Sequence, residues 1–121
     1  MPATAFGALF KRLRMRTGLS LREFCRQNNL DWGNVSKLER GLFPPPQRPE
    51  TVERYARALG LQKGSDDWLD FCDAARVGAG RLPESIANDE ELLARLPAFF
   101  RTVRPLTVEK IDELIRMVRE A

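Results

Sequence analysis

Apolar residues recur along this chain at helical spacing almost from its start. Phe6, Leu9, Phe10 and Leu13 fall at i, i+3, i+4 and i+7, which predicts a helix over about Thr4 to Arg16 with one buried stripe. Gly18-Leu19 makes a turn, and Ser20-Leu21-Arg22-Glu23 then reads as an S-x-x-E capping box. In such a box the Ser20 hydroxyl and the Glu23 carboxylate each accept a backbone amide that the helix itself leaves unpaired. Leu21, Phe24, Cys25 and Asn28 share the inner face of this second helix, and Asn28-Asn29 ends it, because Asn tolerates the left-handed conformation common at helix C-termini. Asp31 caps a third helix, Trp32 to Arg40, with Val35 and Leu38 turned inward and Gly41 as its stop. Two short helices joined by a tight turn, Ser20 to Gly41, are the stretch around which the rest is organised.

Leu42-Phe43-Pro44-Pro45-Pro46-Gln47-Arg48-Pro49 cannot be helical and predicts a stiff, extended spacer. Pro49 suits the first turn of a further helix with Val52, Tyr55, Ala56 and Leu59 inside, closed by Gly60-Leu61. Ser65 caps the next, with Asp66 and Asp67 in its first turn and Trp68, Leu69, Cys72 and Ala75 expected inward. Gly78-Ala79-Gly80 breaks that helix and Leu82-Pro83 begins another. Asn88-Asp89-Glu90-Glu91 reads as a second capping box ahead of Leu92, Leu93 and Leu96, and Pro97 is expected to interrupt the helix before Phe99, Phe100 and Val103. Thr107 caps a last helix with Ile111, Leu114, Ile115 and Val118 on one face. The pattern holds no internal repeat and no strand, so the fold expected is all-α.

Charge sharpens this picture. Residues 1–61 hold eleven Lys or Arg against five Asp or Glu, a balance of +6, while the remaining residues hold nine against twelve, a balance of −3. A basic half suits a polyanion. With no histidine in the chain, a Ser-His-Asp or Cys-His centre cannot be built, and neither Cys25 nor Cys72 belongs to a metal-spaced cluster. The two cysteines fall on apolar helical faces and read as reduced core residues. Asp66, Asp67, Asp70 and Asp73 spread over a solvated helix face rather than converging on a metal. No phosphate-binding loop, membrane-length apolar run or secretory leader is present, so the expectation is a cytoplasmic protein that is not an enzyme and needs no cofactor or metal.

Several segments together resemble the helix-turn-helix of the phage Cro/repressor, or xenobiotic-response-element, family. They are Leu13-Arg14-Met15-Arg16, Gly18-Leu19-Ser20, Glu23-Phe24-Cys25, Val35-Ser36-Lys37-Leu38-Glu39-Arg40-Gly41 and Tyr55-Ala56-Arg57-Ala58-Leu59-Gly60-Leu61. The likeness runs from about Phe6 to Leu61. Cys25 stands where that family usually has Ala, Asn29 where it often has Gly, and Leu21 where many members have Gln; Gly33 lies inside the recognition helix at a cost of about 1 kcal/mol in propensity. The resemblance implies a compact lambda-repressor-like DNA-binding domain over residues 1–61, with its motif at 20–41, and a helical extension over 62–121 for dimerisation or partner binding. It also implies an ion pair between Arg14 and Glu39.

In such a motif the recognition helix enters the major groove of double-stranded DNA and reads base edges. By position Trp32, Gly33, Asn34, Ser36 and Lys37 are candidates to face bases, with Lys37 suited to guanine and Asn34 to adenine; Trp32 either meets DNA or packs on its own domain. The amides after Ser20, flanked by Arg16, Arg22, Arg40 and Arg48, are candidates for phosphate. Family members bind pseudo-palindromes as dimers, and Phe99, Phe100, Ile111, Leu114, Ile115 and Val118 are the candidate surface for a homodimer or a protein partner. The expected function is a sequence-specific DNA-binding transcriptional regulator, a dimeric repressor. The alternative is an antitoxin that neutralises a toxin partner through its C-terminal half and represses its own operon.

Overall fold

Phe10 is fully buried and touches aromatic rings from three other helices. It meets Phe24 and Tyr55 edge-on, at centroid distances of 6.0 and 5.4 Å, and Phe71 at 6.1 Å; Phe6, one turn earlier, lies 5.1 Å from Phe71. The first helix therefore acts as the post on which the others pack, and each such aromatic pair is worth about 0.5–1.5 kcal/mol beyond the area it buries.

The computed structural model describes residues 2–121, and every regular element in them is helical: α1 Pro2–Arg16, α2 Leu21–Gln27, α3 Trp32–Glu39, α4 Pro49–Ala58, α5 Asp66–Gly78, α6 Glu84–Ala87, α7 Glu90–Val103 and α8 Val108–Glu120. They fall into two compact units, Met1–Glu84 and Ser85–Ala121. In the first unit α1 packs on α3 and α5, α2 on α3, and α4 on α5.

Local chemistry explains the helix ends. Ser20, Asp31, Ser65 and Thr107 accept the amides of Glu23, Asn34, Trp68 and Lys110 at 2.9–3.2 Å, as capping residues do. Four helices of the first unit, α2 to α5, close with the same double hydrogen bond around a left-handed residue. For α3, Gly41 (φ 76°) donates to the Leu38 carbonyl at 3.1 Å and Leu42 to that of Lys37 at 2.9 Å. Asn29 (φ 53°) fills this role after α2, so the turn before α3 is made without glycine.

The structure departs from the sequence pattern in four places. Glu23 does not complete its capping box; its carboxylate is taken by the side chains of Arg26 and Gln27 further along α2, and these bonds, Arg26 first, hold its pKa at about 2. The cap of α7 is Asp89 rather than Asn88, accepting from the Leu92 amide at 3.1 Å. Pro97 does not interrupt α7, which continues through it. The helix forgoes one bond to the Leu93 carbonyl, on an element with no buried residue, where water is at hand. On α5 the inward residues are Trp68, Phe71 and Ala75, with Cys72 half-buried, while Leu69 is 51% exposed. The ring of Phe71, packed against Phe6 and Phe10, sets the rotation of that helix.

Two contacts fix α3 against α1. Arg14 grips Glu39 with two parallel bonds, Nε to Oε2 at 2.6 Å and Nη2 to Oε1 at 2.9 Å, and spends Nη1 on the Leu19 carbonyl at 3.0 Å. The pair is nearly out of solvent, and the bond to Glu39 raises the Arg14 pKa further above its usual value. Gly7, buried in the middle of α1, faces the end of α3: a Cβ there would lie 2.9 Å from the Glu39 carbonyl oxygen and closer still to that of Leu38. Both obstacles are backbone atoms, so they yield only if the helices separate.

Gly7→Ala is expected to lower stability by about 1–3 kcal/mol through overpacking, although Ala in place of Gly inside a free helix would gain about 1 kcal/mol. Thermal unfolding decides the sign, and a raised midpoint would mean that α1 and α3 are not in this close approach. Glu39→Ala leaves a buried guanidinium unpaired and is expected to cost about 3–5 kcal/mol, whereas replacing Arg14 and Glu39 together by Met is expected to cost far less. Equal losses from the two variants in denaturant titration would contradict the buried pair.

Candidate nucleic-acid interface

α3 has eight residues, and its inner and outer faces separate cleanly. Val35 and Leu38 are buried in the core, and Glu39 is held by Arg14. Trp32, Asn34, Lys37 and Arg40 are exposed, with Gly33 and Ser36 half-buried between them. At 100° per residue Ser36, Arg40, Gly33 and Lys37 fill one outward arc, and Gly33 sits inside it without a side chain. A short helix with apolar anchors behind and amide, hydroxyl and cationic groups in front has the form a major groove accepts.

Two cations on this surface rest on aromatic rings. The Arg22 guanidinium lies 5.0 Å from the centroid of the Trp32 ring, joining the start of α2 to the start of α3. The Lys37 ammonium lies 5.3 Å from the centroid of Phe43, the second residue beyond the stop at Gly41. Trp32 is 47% exposed, so its indole is part of the surface and not of the core. Ser20 and Asn34 are exposed at the two helix starts, each engaged in its cap. Arg40 folds back on its own helix, Nε donating to the Ser36 carbonyl at 3.3 Å, and Arg48 is exposed at the start of α4 with no side-chain cap bond. Arg16 belongs to different surroundings: its guanidinium reaches Asp67 on α5 at 3.3 and 3.4 Å.

Two contributors escaped the sequence pattern. Phe43 was hidden in a run of prolines whose composition suggested only a spacer. Arg54 on α4 donates to the Asn29 carbonyl at 2.8 Å, pinning the turn between α2 and α3, yet looks on sequence like any exposed helical arginine. The loop after α3 is fixed as well, since Pro45 is fully buried. Cys25 lies buried at the floor of the surface pocket lined by Arg22, Arg26, Leu30 and Trp32, and Cys72 is half-buried on α5. Burial pushes the pKa of Cys25 and Cys72 up, which keeps them protonated.

The second unit carries the other candidate surface. No residue of α7 or α8 is buried, and Phe99, Phe100, Leu114, Ile115 and Val118 are exposed, with Ile111 half-buried. No helix among the described residues is long and apolar enough to cross a membrane.

Comparison with known proteins bears on the first unit. The family model for the helix-turn-helix domain matches residues 5–69, more than half of the chain, taking in α1 to α4 and the start of α5. No curated protein and no solved structure matches the chain. With α2 and α3 forming the two arms of the motif and a polar outer face on the second, this chain belongs to the helix-turn-helix domain family.

Proposed function

We propose that the protein is a sequence-specific, Cro/repressor-type regulator of transcription that lays α3 in the major groove and silences a promoter by occupying it. The observation that carries this reading is the outer face of α3. Asn34, Ser36 and Lys37 stand on a helix whose position is over-determined from behind by Val35, Leu38 and the Arg14–Glu39 pair. Lys37 is the donor for guanine N7 or O6 and Asn34 the partner for adenine. Trp32 and Gly33 lie at the leading end, where the absence of a side chain at Gly33 allows close approach of the duplex. Ser20, Arg22, Arg40 and Arg48 serve the phosphates, and Arg16 joins them only by leaving Asp67.

A helix of this length reads about four base pairs, too few for selectivity, so two copies act on a pseudo-palindrome. The apolar faces of α7 and α8 are the surface for pairing. Both helices carry more acid toward their starts, Glu90 and Glu91 on one and Glu109, Asp112 and Glu113 beside Lys110 on the other, and more base toward their ends, Arg101 and Arg104, then Arg116 and Arg119 before a final Glu120. Antiparallel association about a two-fold axis sets acid against base and covers Phe99, Phe100, Ile111, Leu114, Ile115 and Val118. The antitoxin reading draws on the same exposed faces. Its charge argument is weaker, because four of the acids in the latter part of the chain are Asp66, Asp67, Asp70 and Asp73 on α5, in the first unit, and residues 85–121 hold seven acids against six bases.

Lys37→Ala is expected to weaken binding to a duplex selected by the protein from a randomised pool by about 1–3 kcal/mol, with affinity for random duplex changed far less. Equal losses on both would make Lys37 a phosphate contact. Sedimentation equilibrium of the full chain is expected to give twice the 13.8 kDa chain mass, falling to the single-chain mass when Phe100→Asp and Ile115→Asp are combined. A wild-type chain that stays at 13.8 kDa alone but forms a stoichiometric complex with the product of a neighbouring gene would favour the antitoxin.

A further inference from the structure

We propose that Phe43, outside the recognition helix, is a positioning residue for base reading: its ring holds the Lys37 ammonium in place before DNA arrives. The inference rests on the reading that α3 meets the major groove. It starts from the 5.3 Å separation between the Lys37 ammonium and the Phe43 ring. A lysine free in solvent samples many rotamers, and ordering it on binding costs affinity and blurs which base it addresses. A cation over an aromatic face is confined without losing its charge or its donors.

The backbone makes this contact a fixed feature of the fold. The Leu42 amide donates to the carbonyl of Lys37 itself at 2.9 Å, and the Gly41 amide to that of Leu38 at 3.1 Å, so the chain leaving α3 is tied back to the residue whose side chain it supports. Gly41 at φ 76° makes the reversal possible. Beyond Phe43 the chain enters Pro44-Pro45-Pro46, and Pro45 is fully buried. Phe43 is thus held on both sides, by a helix cap and by a buried proline, while the residue stays 38% exposed and its ring faces the ammonium. A large apolar ring kept at the surface by so much constraint has no core to fill. Its face is turned to a cation on the outer side of α3.

The test uses the full chain, a duplex that the wild type selects from a randomised pool, and random duplex of equal length. Phe43→Ala and Phe43→Leu are expected to lower the ratio of the two affinities about two- to fivefold, the worth of an exposed cation–π contact, and Phe43→Tyr to restore it. Because Phe43 acts through Lys37, Phe43→Ala is expected to add nothing in a Lys37→Ala background. Additive losses would overturn the proposal and make Phe43 a DNA contact in its own right. Without DNA, the ε-methylene protons of Lys37 are expected upfield in the wild type and Phe43→Tyr, and at their random-coil position in Phe43→Ala. No such difference would overturn it by a route independent of DNA. If the wild type enriches no duplex, the DNA reading fails and the proposal with it; enrichment with an unchanged ratio in Phe43→Ala sinks the proposal alone.

Discussion

The bidentate bond between Arg14 and Glu39 is the constraint on which the presentation of α3 depends. An eight-residue helix is far below the length at which helices hold themselves together in water, so its existence and its aim must both come from its neighbours. Val35 and Leu38 supply attachment, but apolar side chains in a core leave a short helix free to roll and slide by small amounts. The two parallel bonds to Glu39, on the last turn of α3, remove that freedom, and the third bond of Arg14, to the Leu19 carbonyl, extends the same grip to the turn that leads into α2. A buried ion pair of this kind specifies geometry more than it adds stability. Gly7 completes the arrangement by letting the backbones of α1 and α3 meet where any other residue would hold them apart.

The constraint continues outward to the exposed face of α3. Arg54 pins the turn before α3, the Gly41 cap ties the chain after it to the helix's own last turn, and buried Pro45 anchors that chain in the first unit. Two cations at its margins then rest on Trp32 and Phe43. Stiffness thus passes from the core, through a polar clamp, to the side chains that would touch a ligand. α7 and α8 stand in contrast, since neither buries a single residue while both display continuous apolar faces.

Much of this was legible in the sequence because it depends on local chemistry. Capping by Ser20, Asp31, Ser65 and Thr107 and the inward turn of Val35 and Leu38 follow from residue type and spacing alone. What escaped depends on competition between partners or on distant approach. Glu23 had nearer cations in Arg26 than the amide the capping box assigns it. Leu69 and Phe71 compete for the inside of α5, and the pattern does not reveal that Phe6 and Phe10 wait opposite. Gly7 does carry a signal in the sequence, since glycine in the middle of a helix is costly unless something must come close. Phe43 gave none, because its contact with Lys37 exists only once the cap at Gly41 folds the chain back.

The central claim is that the surface of α2, α3 and the loop after it is where DNA binds. The most direct measurement is a titration of isotope-labelled full-length protein with a short random-sequence duplex, followed by amide chemical shifts at low and at raised salt. The account predicts shifts concentrated at Ser20 to Glu23, Trp32 to Lys37 and Leu42 to Phe43, reversed by salt as counterion release requires. Shifts confined to α7 and α8, or none at a large excess of duplex, would contradict it.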